Sequence, residues 1–267
     1  MSERIQRGKS HKVFVQRHGP TGDRRRPDEV IVEEPLSIQL DGTLVATTMR
    51  TPGNDFELGV GFLHAEGMLG GEEVTSVRYC ADGSALESEF NVVTVETAGK
   101  APVPTPRLGS TSSSCGLCGA DAIDTLTDRL EPLQGEPYDP LLLIEVADKV
   151  RGEQELFAKT GAVHAAATFD RFGTIHLVRE DIGRHNAVDK IVGRMILDGQ
   201  DPTHTAVTDL GLYVSGRASF EMVQKAWAGG FATIVSVSAP SALAIDTAHA
   251  GSIQLAGFIR DGEINVY

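Results

Sequence analysis

Cysteine is scarce in this sequence, with three among 267 residues. Three thiols cannot build a disulfide framework, which points to a reducing compartment, the cytoplasm. Long apolar runs are missing as well. No stretch of 18 or more apolar residues occurs, so no membrane span is expected. The basic first residues lack the apolar stretch of a secretory signal. Positive charge is short: 24 Lys and Arg face 37 Asp and Glu, for a net charge of −13. Residues 1–27 nevertheless hold eight of those bases (Arg4, Arg7, Lys9, Lys12, Arg17, Arg24, Arg25 and Arg26) against Glu3 and Asp23. That segment is expected to be a flexible basic tail, and the remainder is more acidic than the total suggests. Such a body repels bulk nucleic acid, so an anionic ligand needs a local site of backbone amides and a few arginines.

Two of the three cysteines stand together in Ser112-Ser113-Ser114-Cys115-Gly116-Leu117-Cys118-Gly119. A Cys-x-x-Cys pair among small residues suits a redox dithiol, half of a metal site, or a carrier on which sulfur rides as a persulfide. Both thiols immediately precede an expected helix at 120–130, whose positive dipole end favours thiolate. The zinc-deaminase pattern is absent: His164 is followed by Ala165-Ala166 rather than by a glutamate two residues on, and the cysteines come upstream without a proline. A thioredoxin-like arrangement is missing its strand feeding directly into the motif. His164 itself, in an alternating apolar strand, is expected to be a core histidine, and Cys80 a small core residue.

The rest of the chain divides at a Pro-, Ser- and Thr-rich stretch that contains Pro102, Pro104 and Pro106. Residues 28–97 are expected to form an N-terminal α+β subdomain. A hairpin turns at Asp41-Gly42, and a helix starts with a capping box of Asn54 and Glu57. Residues 98–119 form linker and cysteine loop. Residues 120–267 alternate helices and strands, which implies a substantially parallel, three-layer α/β sheet. Expected helices include 143–159, ended by Gly161, and one capped by Asn186 with Asp189. No internal repeat is evident.

Two further groups carry chemistry. Arg179-Glu180-Asp181-Ile182-Gly183-Arg184-His185-Asn186 lies between a strand and a helix, a common place for ligands in α/β sheets. Arg184 has the planar fork that grips phosphate and His185 can move a proton. The alternative is local pairing of Asp181 with Arg179 or Arg184. Ser215-Gly216-Arg217-Ala218-Ser219 and Ser238-Ala239-Pro240-Ser241 each follow a strand and open a helix, aiming free amides at anions. Neither carries a Walker or dinucleotide fingerprint, and simple serine capping is the alternative for each. With Phe258-Ile259-Arg260-Asp261-Gly262-Glu263, these turns could line one rim suited to a nucleotide or another phosphate-bearing cofactor.

Taken in order, Thr51-Pro52-Gly53-x-Asp55-x-Glu57-Leu58, Ser114-Cys115-Gly116-x-Cys118-Gly119, Gly161-x-x-His164-Ala165-Ala166, the Arg179–Asn186 run, Ser215-Gly216-Arg217 and Asn265-Val266-Tyr267 resemble the formate dehydrogenase accessory protein family, the FdhD sulfur carriers. The resemblance runs from about residue 28 to the C-terminus. It implies a cytoplasmic sulfurtransferase that takes sulfur from a cysteine desulfurase. The sulfur then passes to the bis-guanine-dinucleotide molybdenum cofactor needed by formate dehydrogenase. It further implies that Cys115 carries the persulfide, that Cys118 assists, and that the cofactor site maps onto Phe258–Glu263. The fold it implies is similar to that of cytidine deaminases without the zinc chemistry, in a homodimer.

Overall fold

The computed structural model describes residues 8–80, 85–86, 88–104, 119–200 and 209–267, with the side chains at 119–121 left aside. The chain opens with an antiparallel hairpin, β1 (Ser10–Arg17) and β2 (Arg24–Ile31). Most of the segment expected to be a flexible tail is thus a paired ribbon. Its strands are built on Val13, Phe14, Val15, Val30 and Ile31, and the basic residues that dominate its composition mask that β-like character.

A four-stranded sheet follows, in the order β4-β3-β6-β5, made of β3 (Glu34–Leu40), β4 (Thr43–Arg50), β5 (Ser76–Tyr79) and β6 (Val92–Glu96). The Asp41-Gly42 turn has both residues at positive φ, 47° and 81°, as a two-residue hairpin requires. Leu36, Ile38 and Leu40 alternate inward and are completely or almost completely buried. They pack with Val93 and Val95 against Leu58 and Leu63 of helix α1 (Asp55–Ala65). The capping box expected there does not form. Asn54 sits in the left-handed region at φ 59° and makes no side-chain cap bond, because Glu57 is drawn away to Arg179.

After the four-stranded sheet come α2 (Gly119–Thr127), α3 (Pro140–Glu153) and α4 (Glu155–Thr160). The single helix expected over 143–159 is therefore two. Gln154 leaves helical geometry at ψ 82°, and Glu180 accepts hydrogen bonds from Leu156 N and Phe157 N at 2.8 Å each, starting a new helix. Gly161 ends α4 at φ 65°, as expected.

The main sheet has six strands, in the order β12-β11-β10-β9-β7-β8. These are β7 (His164–Phe169), β8 (Ile175–Asp181), β9 (Gly211–Val214), β10 (Thr233–Ser236), β11 (Gln254–Arg260) and β12 (Glu263–Val266). Only β9, β10 and β11 run parallel, so the sheet is mixed rather than substantially parallel. The cause is turn length: the Asp170–Gly173 and Asp261-Gly262 turns are too short for a crossover and force antiparallel neighbours. Helices α5 (Arg184–Leu197), α6 (Phe220–Ala228) and α7 (Ala242–Ala250) cover one face, where Val188, Ile191, Met222, Trp227 and Leu255 form the largest core cluster. On the other face α3 packs Leu143, Val146 and Val150 against Phe169, Tyr213 and Val235. The three-layer expectation matches this arrangement.

The two sheets communicate through α1 against α5. A Cβ at Gly61 would lie 1.9 Å from Asp189 O, and one at Gly193 1.8 Å from Glu57 O, so the helices touch backbone to backbone. This close crossing brings the residues of the N-terminal half under the start of α5.

Candidate functional site

The Arg179–Asn186 run separates into two sets of residues. One set is structural and buried. Asp181, fully buried, pairs with Lys190 at 2.7 Å and accepts from Thr51 N at 3.1 Å, Gly183 N at 2.8 Å and Asn186 Nδ2 at 2.9 Å. Lys190 Nζ also donates to Thr51 O at 3.1 Å. Burial pushes the Lys190 pKa down although Asp181 opposes it. Arg179 forms a two-pronged pair with Glu57, with Nη2 to Oε1 at 2.8 Å. Neither arginine pairs with Asp181 among the described residues, so the alternative of local pairing does not hold; Arg179 on β8 reaches Glu57 of α1 instead. Asn186 is not a cap. It lies inside α5 and donates to Met49 O at 2.8 Å, tying the helix to β4, while Gly183 occupies the N-cap position.

A second buried pair, Asp189 with Lys225 at 2.7 Å, joins α5 to α6. Burial raises the Asp189 pKa against the pull of Lys225. On the N-terminal side Arg50, fully buried, clamps Asp55 with Nε–Oδ1 at 3.0 Å and Nη2–Oδ2 at 3.1 Å. The Thr51–Leu58 segment is thereby fastened at both ends, to its own sheet through Arg50 and to the main sheet through Thr51 and Glu57.

The other set, Arg184 and His185, belongs to the rim where the parallel strands end. Ser215 N donates to Ala165 O and Ala165 N donates to Ser215 Oγ, both at 2.9 Å, fixing the first turn against β7. Ser236 Oγ lies 2.7 Å from Gly216 O and 2.9 Å from Ser238 O, sharing its proton between the two turns. Phe258 N donates to Ser238 O at 3.2 Å, bringing in the third. The turns after β9, β10 and β11 are therefore neighbours, at the carboxyl ends where open α/β sheets bind ligands.

Three residues on this rim stand out beyond the sequence reading. His164 is half-buried rather than in the core, with Nδ1 3.4 Å from Ser215 Oγ. Burial, followed by the charges of Arg184 and His185, holds its pKa below the ordinary 6.5, with Asp181 opposing. A neutral ring suits the geometry, since Ser215 Oγ already accepts from Ala165 N and has its own proton to give Nδ1. Glu221, in the first turn of α6, sits 2.8 Å from His185 Nε2. Its contact with His185 outweighs burial and lowers its pKa. Ser219 precedes α6 but makes no cap bond, and its Oγ is buried without a partner among the described residues, as is Arg184 Nε. By contrast Ser241 caps α7 in the ordinary way, accepting from Ala244 N at 3.2 Å. No local pattern marks Glu221, and the Gly161-x-x-His164 motif names no partner for His164, because each meets its partners across the fold.

The Phe258–Glu263 segment is irregular. Phe258 has φ 60° at a register shift in β11, costly for an aromatic residue and common at functional positions. Its ring is exposed, with the Arg260 guanidinium 4.8 Å from the ring centroid. Asp261, Gly262 and Glu263 are exposed, whereas Ile259 turns inward to the α3 side of the core. Arg217 is exposed beside the α6 turn. Cys115 and Cys118 lie outside the described residues, and α2 starts at Gly119, the residue after Cys118. Cys80 is a buried free cysteine, as expected, with Sγ 3.0 Å from Ser88 Oγ.

Fold and rim together define a three-layer α/β protein with serine hydroxyls, histidines and arginines gathered at one edge of its sheet. The FdhD/NarQ family model matches residues 31–267. A sulfur carrier protein FdhD of Streptomyces avermitilis is 45% identical over 91% of this chain and 88% of its own length. One from Corynebacterium efficiens is 42% identical over 96% and 92%. The crystal structure of a formate dehydrogenase accessory protein from Desulfotalea psychrophila superposes with a TM-score of 0.74, covering 97% of this chain and 96% of that one at 23% identity. The chain belongs to the FdhD/NarQ family.

Proposed function

We propose that this protein is a sulfur carrier of formate dehydrogenase maturation, with Cys115 as the residue that bears the sulfur. The observation that carries the reading is the Cys115-x-x-Cys118 pair running directly into the N-terminus of α2, in a chain whose relatives are named sulfur carriers. The helix's positive end favours thiolate, the reactive form. The Cys115 thiolate attacks the outer sulfur of a donor cysteine persulfide. A new S–S bond forms as the donor's S–S bond breaks, and the donor cysteine leaves as thiolate, with no net oxidation. The donor class is a cysteine desulfurase, and Cys118 assists.

The acceptor is the bis-guanine-dinucleotide molybdenum cofactor, handled here as a substrate. It is large and polyanionic, and the rim supplies what an acidic protein otherwise lacks. Arg184, His185, Arg217, Arg260, the Ser215-Gly216 turn and the exposed Phe258 ring are the donors and stacking surface that would hold it. Two buried donors without partners, Arg184 Nε and Ser219 Oγ, support a polar ligand at that edge. The same reading takes the core as cytidine-deaminase-like and the protein as a cytoplasmic homodimer. A second reading is a cofactor chaperone without thiol chemistry, favoured by the fact that none of the rim donors is a cysteine. Cys115→Ala separates them. The carrier reading expects formate dehydrogenase that is folded and cofactor-loaded but inactive; restored activity with the alanine variant would favour the chaperone.

A further inference from the structure

The outer part of the β1–β2 ribbon is exposed on both faces, whereas Val13, Val15, Arg26 and Asp28 nearer its base are partly covered. Every residue from Gln16 to Arg25 is exposed, and Phe14 shows 67% of its surface. Two strands alone are marginal in water and need something to pack against. The register makes the problem sharper. Arg17 stands directly opposite Arg24, a like-charge pair that destabilises a ladder, with Gln16 opposite Arg25 on the other face. No ion pair relieves Arg17, Arg24 or Arg25 among the described residues; Arg25 only stacks on Phe14, 4.6 Å from the ring centroid. The match to the family model begins at Ile31, where β2 ends, so the ribbon lies outside the matched core.

The same chain carries a surface of opposite sign. Residues 122–155 hold nine acids and three bases. All nine are exposed, including Glu145 and Asp148 on α3. In its own copy the ribbon meets this surface at its foot, where Lys9 and Ser10 line a cleft of about 420 Å³ with Glu153 and Glu155. Strands of eight residues reach about 26 Å beyond such a foot. We infer that the basic ribbon is an arm that grips the acidic α3 face of a second copy of this chain. There Arg17, Arg24 and Arg25 meet Glu145 and Asp148, and Phe14 is covered. The inference deepens the homodimer of the reading above and rests on it. Nucleic acid is the less favoured occupant, because the acidic body beside the ribbon repels it.

Sedimentation velocity of the full chain tests the arm. The parent is expected to be a dimer at micromolar concentration and low salt, weakening as salt rises. Combined Arg17→Glu, Arg24→Glu and Arg25→Glu should raise the dissociation constant at least about tenfold without changing the circular dichroism spectrum. Glu145→Lys with Asp148→Lys should do the same, and mixing the two variants should restore a dimer. A dimer unaffected by the ribbon variant overturns the arm and leaves the homodimer standing. Failure of the mixed variants to pair overturns α3 as its receptor. A monomeric parent overturns both the homodimer and the arm, and a monomer that shifts duplex DNA through the ribbon would assign it to nucleic acid instead.

Discussion

Asp181 shows how one residue is decided by partners far away in sequence. Its carboxylate answers donors from Thr51, Gly183, Asn186 and Lys190 within a fully buried space. Removing it strands a buried ammonium and several amide donors together. Asp181→Ala is therefore expected to cost about 3–5 kcal/mol in chemical denaturation, and Asp181→Asn less, since Asn keeps an acceptor oxygen. A loss below about 1 kcal/mol would show that the network is not the fastening described. The motif containing Asp181 was visible in the sequence, but its partners were not. The capping readings of Asn54–Glu57 and Asn186–Asp189 failed for the same reason. In each case the acidic residue spends its charge on a long-range partner, Arg179 or Lys225, that no local window contains.

At the scale of elements, period-two alternation placed Leu36–Leu40 well, because one face of that strand is buried and the other is less so, whereas His164–Phe169 is covered on both faces beyond its first residue. Helix ends were less legible. Gln154 splits an expected helix only because Glu180, on a neighbouring strand, caps the second piece. The two serines that precede α6 and α7 looked alike in sequence and differ in structure. Ser241→Ala removes a formed cap bond and is expected to lower stability by about 1 kcal/mol. Ser219→Ala removes no bond among the described residues and is expected to cost less than about 0.5 kcal/mol in the same thermal unfolding measurement. Its loss should appear instead as weaker binding of guanosine diphosphate, a probe for the phosphate-bearing substrate, in calorimetric titration. Equal stability losses for both serines would contradict a free Ser219.

For the whole molecule, alternating helices and strands announce a layered α/β core, while the two short turns that make its sheet mixed lie within that alternation and leave it unchanged. The rim emerged only when three separate turns came together, with His164 and Glu221 joining from elements read as core and helix. The charge set around His164 also makes a pH prediction. Arg184 and His185 face the ring, Asp181 opposes them, and its pKa lies below 6.5 in the fold. The unfolded chain therefore binds that proton more readily, so the contribution of the neutral ring to stability is intact above pH 6.5 and falls as pH drops below it. Thermal unfolding between about pH 7.5 and 5.5 should show this decline, and His164→Gln should flatten it. A slope unchanged by the substitution would mean that the ring is not held neutral.

The central claim concerns sulfur on Cys115, and mass spectrometry of that cysteine tests it most directly. After incubation with a cysteine desulfurase and free cysteine, the peptide bearing Cys115 should gain the mass of one sulfur. Dithiothreitol should remove it, and the Cys115→Ala protein should show none. A Cys115 peptide of unchanged mass, under conditions in which the desulfurase itself is persulfidated, would contradict the account.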